Sequence, residues 1–311
     1  MKTVLGIDAG GSKTLAALAD KTGAVLELYV GPGFDPTRHD DPAARLRELF
    51  SQFTPQERPE ATTAGLPYYG EVARITTLED RVTEDVFGPS ARACNDVEAA
   101  HIGAFSGGEG VLCLAGTGSM AWALGPSGTS RAGGFGDLIG DEGSAYWIGQ
   151  HALSLLSHEA DGRRPSSSFG ESLFASLGIT PAELLEWIYS HDNPRAGIAT
   201  VARHVSEHAA AGESEAREIL SSAGGKLADV ARAAATIAGL PAGAALACAG
   251  SVFADPIVRT EIGRKFGATP TACELPPVGG AVFDAARRAG WTVDATWISA
   301  LRDNLHKRGH A

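Results

Sequence analysis

The chain has 311 residues, a formal net charge of −11 and 44% hydrophobic residues, which suits one large domain or two of ordinary size. The acidic balance argues against a nucleic-acid partner, since contact with the phosphate backbone needs a basic face. No apolar run reaches the roughly 18 residues that a membrane span needs. The four cysteines are widely spaced and predict free thiols in a reducing compartment, so we expect a cytoplasmic protein with no membrane partner.

Predicted elements in the first part of the chain begin with a meander of three strands, whose second turn is Lys21-Thr22-Gly23. Asp41 followed by Pro42 predicts a helix start, because Asp caps helices and Pro is favoured at the first position. A further helix begins at Asn95-Asp96, directly after a short strand. The predicted strands are 4–7, 15–19, 25–30, 61–66 and 91–94.

The second part of the chain starts with another strand pair and continues with helices. Residues 132–144 are too glycine-rich for regular structure, whereas Thr180-Pro181-Ala182-Glu183 is a capping box that predicts a helix start. Helices dominate residues 166–239. The other predicted segments are strands 111–115, 120–124 and 244–249 and helices 145–158, 255–266, 277–289 and 294–307. This order predicts an α/β fold of two related domains around a cleft.

The stretch from Asp8 to Thr14 predicts a phosphate-binding loop. An apolar strand leads into Asp8, and two adjacent glycines follow, so backbone N–H groups could converge on an anion without a Cβ in the way. The hydroxyls of Ser12 and Thr14 could add donors. Asp8 would repel phosphate unless a hydrated Mg²⁺ lay between them, so we expect it to hold the metal. An ordinary β-hairpin turn remains the alternative for this stretch taken alone.

A partial echo of this stretch lies at residues 111–119, where an apolar strand again enters a turn, Gly116-Thr117-Gly118-Ser119. Two such loops, one in each domain, could hold one polyphosphate from both sides. The second copy has Ala115 where the first has Asp8. This asymmetry suits a single Mg²⁺ held from the first domain.

Five segments in order resemble the sugar-kinase branch of the actin, Hsp70 and hexokinase superfamily, and more narrowly the N-acetylglucosamine kinase group, also called the BadF/BadG/BcrA/BcrD ATPase family. The glycine-rich run 133–147 is the piece most typical of this family. The five segments are 8–14, 95–100, 116–119, 248–252 and 277–281. The resemblance implies two ribonuclease H-like domains, residues 1–115 and 116–291, around a nucleotide- and sugar-binding cleft, with the C-terminal helix of 292–311 possible as an addition to the first domain.

The same resemblance implies roles for individual residues in an ATP- and Mg²⁺-dependent kinase that acts on an amino sugar. Asp96 would be the general base and contact the sugar; the alternative is a simple helix cap, a role that Asn95 could fill instead. The metal ligand would be Asp8. Nucleotide contacts would come from Gly10, Gly11, Ser12, Lys13, Thr14, Thr117, Gly118, Ser119, Gly250 and Ser251. Sugar contacts would come from Asp35, Gly134, Phe135 and Asp141, with Glu142 undecided.

Two departures from the family pattern bear on the sugar. Phe135 stands where relatives often have Trp, and Asp35 stands where they often have Asn. We expect N-acetylglucosamine, converted to its 6-phosphate by a homodimer, with glucosamine and N-acetylmuramate as alternatives. A carboxylate at position 35 would favour the ammonium of glucosamine.

Three other interpretations of the chain are possible but less favoured. The first is an ATPase that activates a partner reductase, as some relatives in this family do; the strand positions of the cysteines disfavour it. His204-Val205-Ser206-Glu207-His208 fits an inverted zinc-protease pattern, although an exposed helix face explains it better. A Walker P-loop is disfavoured, because Lys13 stands one position late.

Overall fold

The computed structural model describes residues 1–309 of the chain and divides it into two compact units. The first unit comprises Met1–Gly108 and Cys273–Ala311, and the second comprises Glu109–Ala272. Residues 310 and 311, which the predicted segment 292–311 included, lie outside the described residues. Within residues 1–309, no helix combines the length and the apolar character that crossing a bilayer requires.

The elements follow one another with short connections through most of the chain. The strands are β1 (Thr3–Ala9), β2 (Lys13–Asp20), β3 (Val25–Pro32), β4 (Ala61–Leu66), β5 (Ala91–Asn95), β6 (Gly110–Ala115), β7 (Ser119–Gly125), β8 (Gly128–Gly133) and β9 (Leu246–Ala249). The helices are α1 (Pro42–Ser51), α2 (Ala73–Phe87), α3 (Asp96–Phe105), α4 (Ala145–Ala160), α5 (Ser168–Leu177), α6 (Leu184–Tyr189), α7 (Pro194–Ala211), α8 (Ser214–Ile237), α9 (Pro256–Phe266), α10 (Pro277–Arg288) and α11 (Ala295–Lys307).

The first unit is built on a five-stranded sheet in the order β3-β2-β1-β4-β5. β1, β2 and β3 form an antiparallel meander, and β4 and β5 run parallel to β1. Alternate β1 side chains enter different cores: Leu5 and Ile7 pack with α1 and α2, whereas Val4 packs with α10 and α11. Because β1, β4 and β5 are parallel, their carboxyl ends lie at one edge of the sheet, which carries Asp8 and Asn95.

The run Pro277-Val278-Gly279-Gly280-Ala281 has a packing function in the first unit. It forms the start of α10, which packs against α3 and β1. A Cβ on Gly280 would overlap the Ala99 carbonyl oxygen and lie 2.9 Å from Gly103 Cα. The two helix backbones therefore approach as closely as two glycines permit.

The second unit repeats the same pattern with one strand fewer. Its sheet has the order β8-β7-β6-β9, with β6, β7 and β8 as an antiparallel meander and β9 parallel to β6. Helix α8 packs on this sheet, and α4, α7 and α9 complete the core around it. The shared arrangement confirms the predicted α/β class and the predicted relationship between the two halves.

The structure differs from the expected elements at three points. Helix α2 was not predicted, since Val72 at its N-cap gives no side-chain cap. Strand β8 was not predicted either, because Gly-Thr-Ser-Arg-Ala-Gly contains no apolar run. The expected boundary at 115/116 and the assignment of 116–291 to one domain also differ from the observed units, because α10 packs on β1 and β4 of the first unit.

Candidate active site

The first predicted phosphate loop is the tight connection between β1 and β2. The Gly10 N–H donates to the Lys13 carbonyl (3.0 Å), and the Gly10 carbonyl accepts from the Phe34 N–H (3.0 Å). Gly11, Ser12 and Lys13 are exposed, so the backbone and side chains that could contact an anion face solvent. Thr14 is different: it is fully buried and its hydroxyl donates to the Pro32 carbonyl (2.8 Å). A phosphate contact by Thr14 would need that bond to break.

The predicted general base, Asp96, and the predicted metal ligand, Asp8, lie at the same edge of the first sheet. Asp8 is near the end of β1, and Asp96 is the first residue of α3 after β5. The pKa of Asp8 is raised from its ordinary 3.8 to about 7, because burial and then the Asp96 carboxylate raise it by more than Lys13 lowers it. The two acids therefore interact electrostatically, as groups sharing one site do.

Asn95 is the N-cap of α3. Its side-chain oxygen accepts from the Val97 N–H (2.9 Å), and its amide nitrogen donates to the Tyr69 carbonyl (2.9 Å) and to Glu71 Oε1 (3.2 Å). Asp96 Oδ1 also accepts from the Val97 N–H (2.8 Å). Asn95 thus fills the capping role that the sequence left open to it, and Asp96 shares the same N–H, so capping does not by itself require a carboxylate at position 96.

The surroundings of Asp8 fit a divalent cation. A desolvated carboxyl with a second carboxylate in electrostatic range is stabilised by a positive charge, and Mg²⁺ accepts one or two carboxylates while waters and phosphate oxygens fill its other positions. Within residues 1–309, no group of three or more His, Cys, Asp or Glu side chains is arranged to enclose a metal. Asp8 would hold Mg²⁺ in this open manner, not in an all-protein cage.

The second predicted phosphate loop connects β6 and β7 in the second unit. The Gly116 N–H donates to the Gly118 carbonyl (2.9 Å), and the Ala145 N–H at the start of α4 donates to the Gly116 carbonyl (2.8 Å). Thr117 is exposed at the tip. Ser119 is buried, and its hydroxyl donates to the Glu142 carbonyl (2.8 Å). Backbone bonds from the segment that follows β8 thus hold this loop in shape.

A cavity of about 460 Å³ lies in the second unit beside Ser251, one of the predicted nucleotide contacts. Gly250 follows β9, and Ser251 begins a 3-10 turn that forms one wall. Residues of α4, α7 and α8 form the other walls. The lining residues are Ala145, Ile148, Ala199, Thr200, Ala202, Arg203, Ser206, Leu220, Ser251, Val252, Ala254 and Asp255. Its size and its mostly apolar lining suit a small flat ligand such as a nucleobase.

The glycine-rich segment after β8 has an exposed tip and a buried end. Phe135 is 72% exposed and Gly134 is partly exposed, so both remain accessible to a ligand. Asp141 is buried: its Oδ1 accepts from the Ser119 N–H (3.2 Å), and its Oδ2 pairs with Arg195. The Asp141 carboxylate, which we expected to bind a sugar, therefore already has hydrogen-bond partners inside the second unit.

Asp35 has local partners in the loop after β3. Its Oδ1 accepts from the Thr37 N–H (2.9 Å) and the Thr37 hydroxyl (2.6 Å), and its Oδ2 lies 3.1 Å from Arg38 Nε. Its side chain is 21% exposed. A contact between Asp35 and a sugar stays a prediction.

The sequence analysis did not include Arg195 or Glu79, two ionisable residues that interact with Asp141 and Asp96, respectively. Arg195 is the second residue of α7, and Asp141 is 54 positions earlier in the chain, so their spacing shows no pattern. Glu79 is fully buried on α2 and belongs to no recognisable sequence motif. Helical periodicity could have shown that Glu79 shares the buried face of Ile75 and Val82.

Two curated relatives are similar to this chain at modest identity. A Clostridium acetobutylicum protein named N-acetylmuramic acid/N-acetylglucosamine kinase is 28% identical over 236 residues, which is 73% of this chain and 77% of that protein. A Dictyostelium discoideum protein named N-acetyl-D-glucosamine kinase is 28% identical over 206 residues, which is 60% of this chain and 64% of that protein.

Among solved structures, a Chromobacterium violaceum protein provisionally assigned as an N-acetylglucosamine kinase has a TM-score of 0.69 at 25% identity. The similarity covers 91% of this chain and 98% of that chain. The BadF/BadG/BcrA/BcrD ATPase family matches residues 5–284, which include both phosphate loops and most of α10. The resemblance that the sequence predicted is thereby confirmed, and the chain belongs to the BadF/BadG/BcrA/BcrD ATPase family.

Proposed function

We propose that this protein is an ATP-dependent kinase that transfers the γ-phosphoryl group to an amino sugar, with N-acetylglucosamine as substrate and its 6-phosphate as product. ATP as the nucleotide follows from membership of an ATPase family. An amino-sugar acceptor is supported by the names of the two curated relatives, since both names include N-acetylglucosamine kinase activity.

The observation that carries this proposal is the position of Asp96. It stands at the end of a parallel strand and the start of α3, beside Asp8, while Asn95 supplies the helix cap. A carboxylate there could accept the proton of a sugar hydroxyl as the bond to phosphorus forms, and could orient that oxygen for in-line attack. Phosphoryl transfer needs little else from the protein beyond positioning and charge stabilisation.

Asp8 is the group that would bind Mg²⁺ in this reaction. The bound ion would neutralise charge on the β- and γ-phosphates. The protein's part is to keep Asp8 ionised when metal is present and to place Lys13 on the exposed loop next to it. In the second unit, Thr117 and Gly118 would contact phosphate oxygens, and the cavity beside Ser251 would take the adenine.

Glucosamine and N-acetylmuramate are the competing acceptors. Asp35 pairs with Arg38, so its negative charge is partly compensated and gives less reason to select an ammonium. That pairing favours a neutral acetamido sugar over glucosamine. The Clostridium relative's name includes N-acetylmuramic acid, which makes this sugar the second candidate.

The test is coupled ADP release with N-acetylglucosamine, glucosamine, N-acetylmuramate, glucose and no sugar, followed by phosphorus NMR of the product. We expect turnover that depends on N-acetylglucosamine and a 6-phosphate product. Equal ADP release with and without sugar would contradict a kinase and favour a partner-activating ATPase. An anaerobic iron measurement on the purified protein would then test that second activity directly.

A further inference from the structure

Arg195 holds together two acidic residues of the segment between β8 and α4. From the first turn of α7, its guanidinium Nη2 binds Asp141 Oδ2, and its Nε lies 3.3 Å from Asp137 Oδ1. The Asp141 side chain is only 4% exposed, whereas the side chains of Arg195 and Asp137 are 38% and 31% exposed. Arg195 is thus a half-buried cation that neutralises the buried Asp141 carboxylate.

Asp141 is in turn bonded to the second phosphate loop. Its Oδ1 accepts the Ser119 backbone N–H at 3.2 Å, and its own backbone has the left-handed φ of +60°, which aspartate adopts more readily than most residues other than glycine. The carboxylate therefore fixes the orientation of one loop amide. A buried carboxylate would lose this arrangement if it were protonated or unpaired.

The ion pair also packs directly on the loop. A Cβ added to Gly118 would lie 2.8 Å from both Arg195 Nη2 and Asp141 Oδ1. Only a residue without a side chain leaves the loop backbone room beside the pair. A phosphate group bound at the Gly118 backbone would therefore lie near Asp141, and the charge of Asp141 would repel it.

We infer that Arg195 is a positioning residue for nucleotide binding: it cancels the charge of Asp141 beside the second phosphate loop and holds that carboxylate on the Ser119 amide. The ligand class is a nucleoside di- or triphosphate. The inference rests on the proposed function for the identity of the ligand. It does not depend on which sugar, if any, accepts the phosphoryl group.

The test is nucleotide binding by calorimetry with ADP and with a non-hydrolysable ATP analogue, in the absence of sugar. Arg195→Gln should weaken both by about ten-fold or more, since it leaves Asp141 charged and unpaired beside the phosphates. The nucleotide affinity of Arg195→Lys should be intermediate, because an ammonium keeps the positive charge but lacks the planar guanidinium that binds Asp141 and reaches toward Asp137. Arg195→Gln/Asp141→Asn should recover part of the loss, because the unpaired anion is gone.

The matched control is Arg163→Gln, which removes an Arg–Asp pair of the same unit in which both side chains are more than half exposed. It should leave nucleotide affinity unchanged. Melting temperatures separate local effects from unfolding, and Arg195→Lys carries the test if Arg195→Gln does not fold. Unchanged nucleotide affinity in Arg195→Gln and Arg195→Lys, or a loss confined to sugar KM, would overturn the inference. A wild-type protein that binds no nucleotide would overturn both the inference and the proposed kinase.

Discussion

Glu79 offers a quantitative test of the electrostatics around Asp96. It is fully buried on α2, and among the described residues neither of its carboxyl oxygens has a hydrogen-bond partner. The pKa of Glu79 is raised from its ordinary 4.5 to about 9, mainly by burial and in smaller part by the carboxylates of Asp96, Asp80 and Glu71. Glu79 is therefore a neutral acid at pH 7, which spares Asp96 a second charge nearby.

The sign and size of the pH dependence follow from this pKa. Between pH 4.5 and 9 the folded protein keeps a proton on Glu79 that the unfolded chain has lost, so the free energy of unfolding falls as pH rises. Each pH unit in that window costs about 1.4 kcal/mol. The stabilisation that Glu79 gives is complete below pH 4.5. At pH 8 on the order of 5 kcal/mol of it is gone.

Glu79→Gln replaces the acid with a neutral group of the same shape that does not titrate. Relative to wild type it should melt at nearly the same temperature at pH 5 and on the order of 10 °C higher at pH 8. The matched control is Glu84→Gln on the exposed face of the same helix, which should shift little at either pH. A difference between Glu79→Gln and wild type that stays the same at both pH values would refute the reasoning.

Three further outcomes are expected. Asp96→Asn should lower kcat by ~10²-fold or more, with sugar binding and melting temperature nearly unchanged. Asp41→Asn, a change in a pure helix cap, should leave kcat unchanged, and equal effects of the two substitutions on kcat would mean that Asp96 is only a cap. The Mg²⁺ concentration for half-maximal rate should fall as pH rises from 6 to 8, because Asp8 has a pKa of about 7 and binds metal when it is ionised. Asp8→Asn should abolish that trend, and a flat pH profile in the wild-type protein would contradict the assignment of Asp8 as metal ligand. Gly118→Ala should weaken nucleotide binding about ten-fold, since the added methyl group would clash with the Arg195–Asp141 ion pair. An affinity equal to that of the wild type would show that the ion pair does not constrain the loop at Gly118.

Local signals in the sequence were sufficient for many of the elements. Strand 61–66 was predicted with its observed bounds, and the side chain of Asp41 accepts from the Ala44 N–H at the start of α1 as a cap should. The capping box at Thr180–Glu183 is present, although it opens a short 3-10 turn before α6. These features depend on residues at most a few positions apart, so spacing alone reveals them.

By itself, the sequence determined the two strand–loop units, because an apolar run followed by Gly, Ser and Thr is encoded within ten residues. It also determined the family, because five segments that resemble the family's occur in order along the chain. Only the tertiary structure decided that α10 belongs to the first unit, that Thr14 bonds inward, and that Arg195 pairs with Asp141. Those outcomes depend on side chains brought together across 18, 54 or more than 200 positions, where the sequence carries no periodicity and packing alone selects the partner.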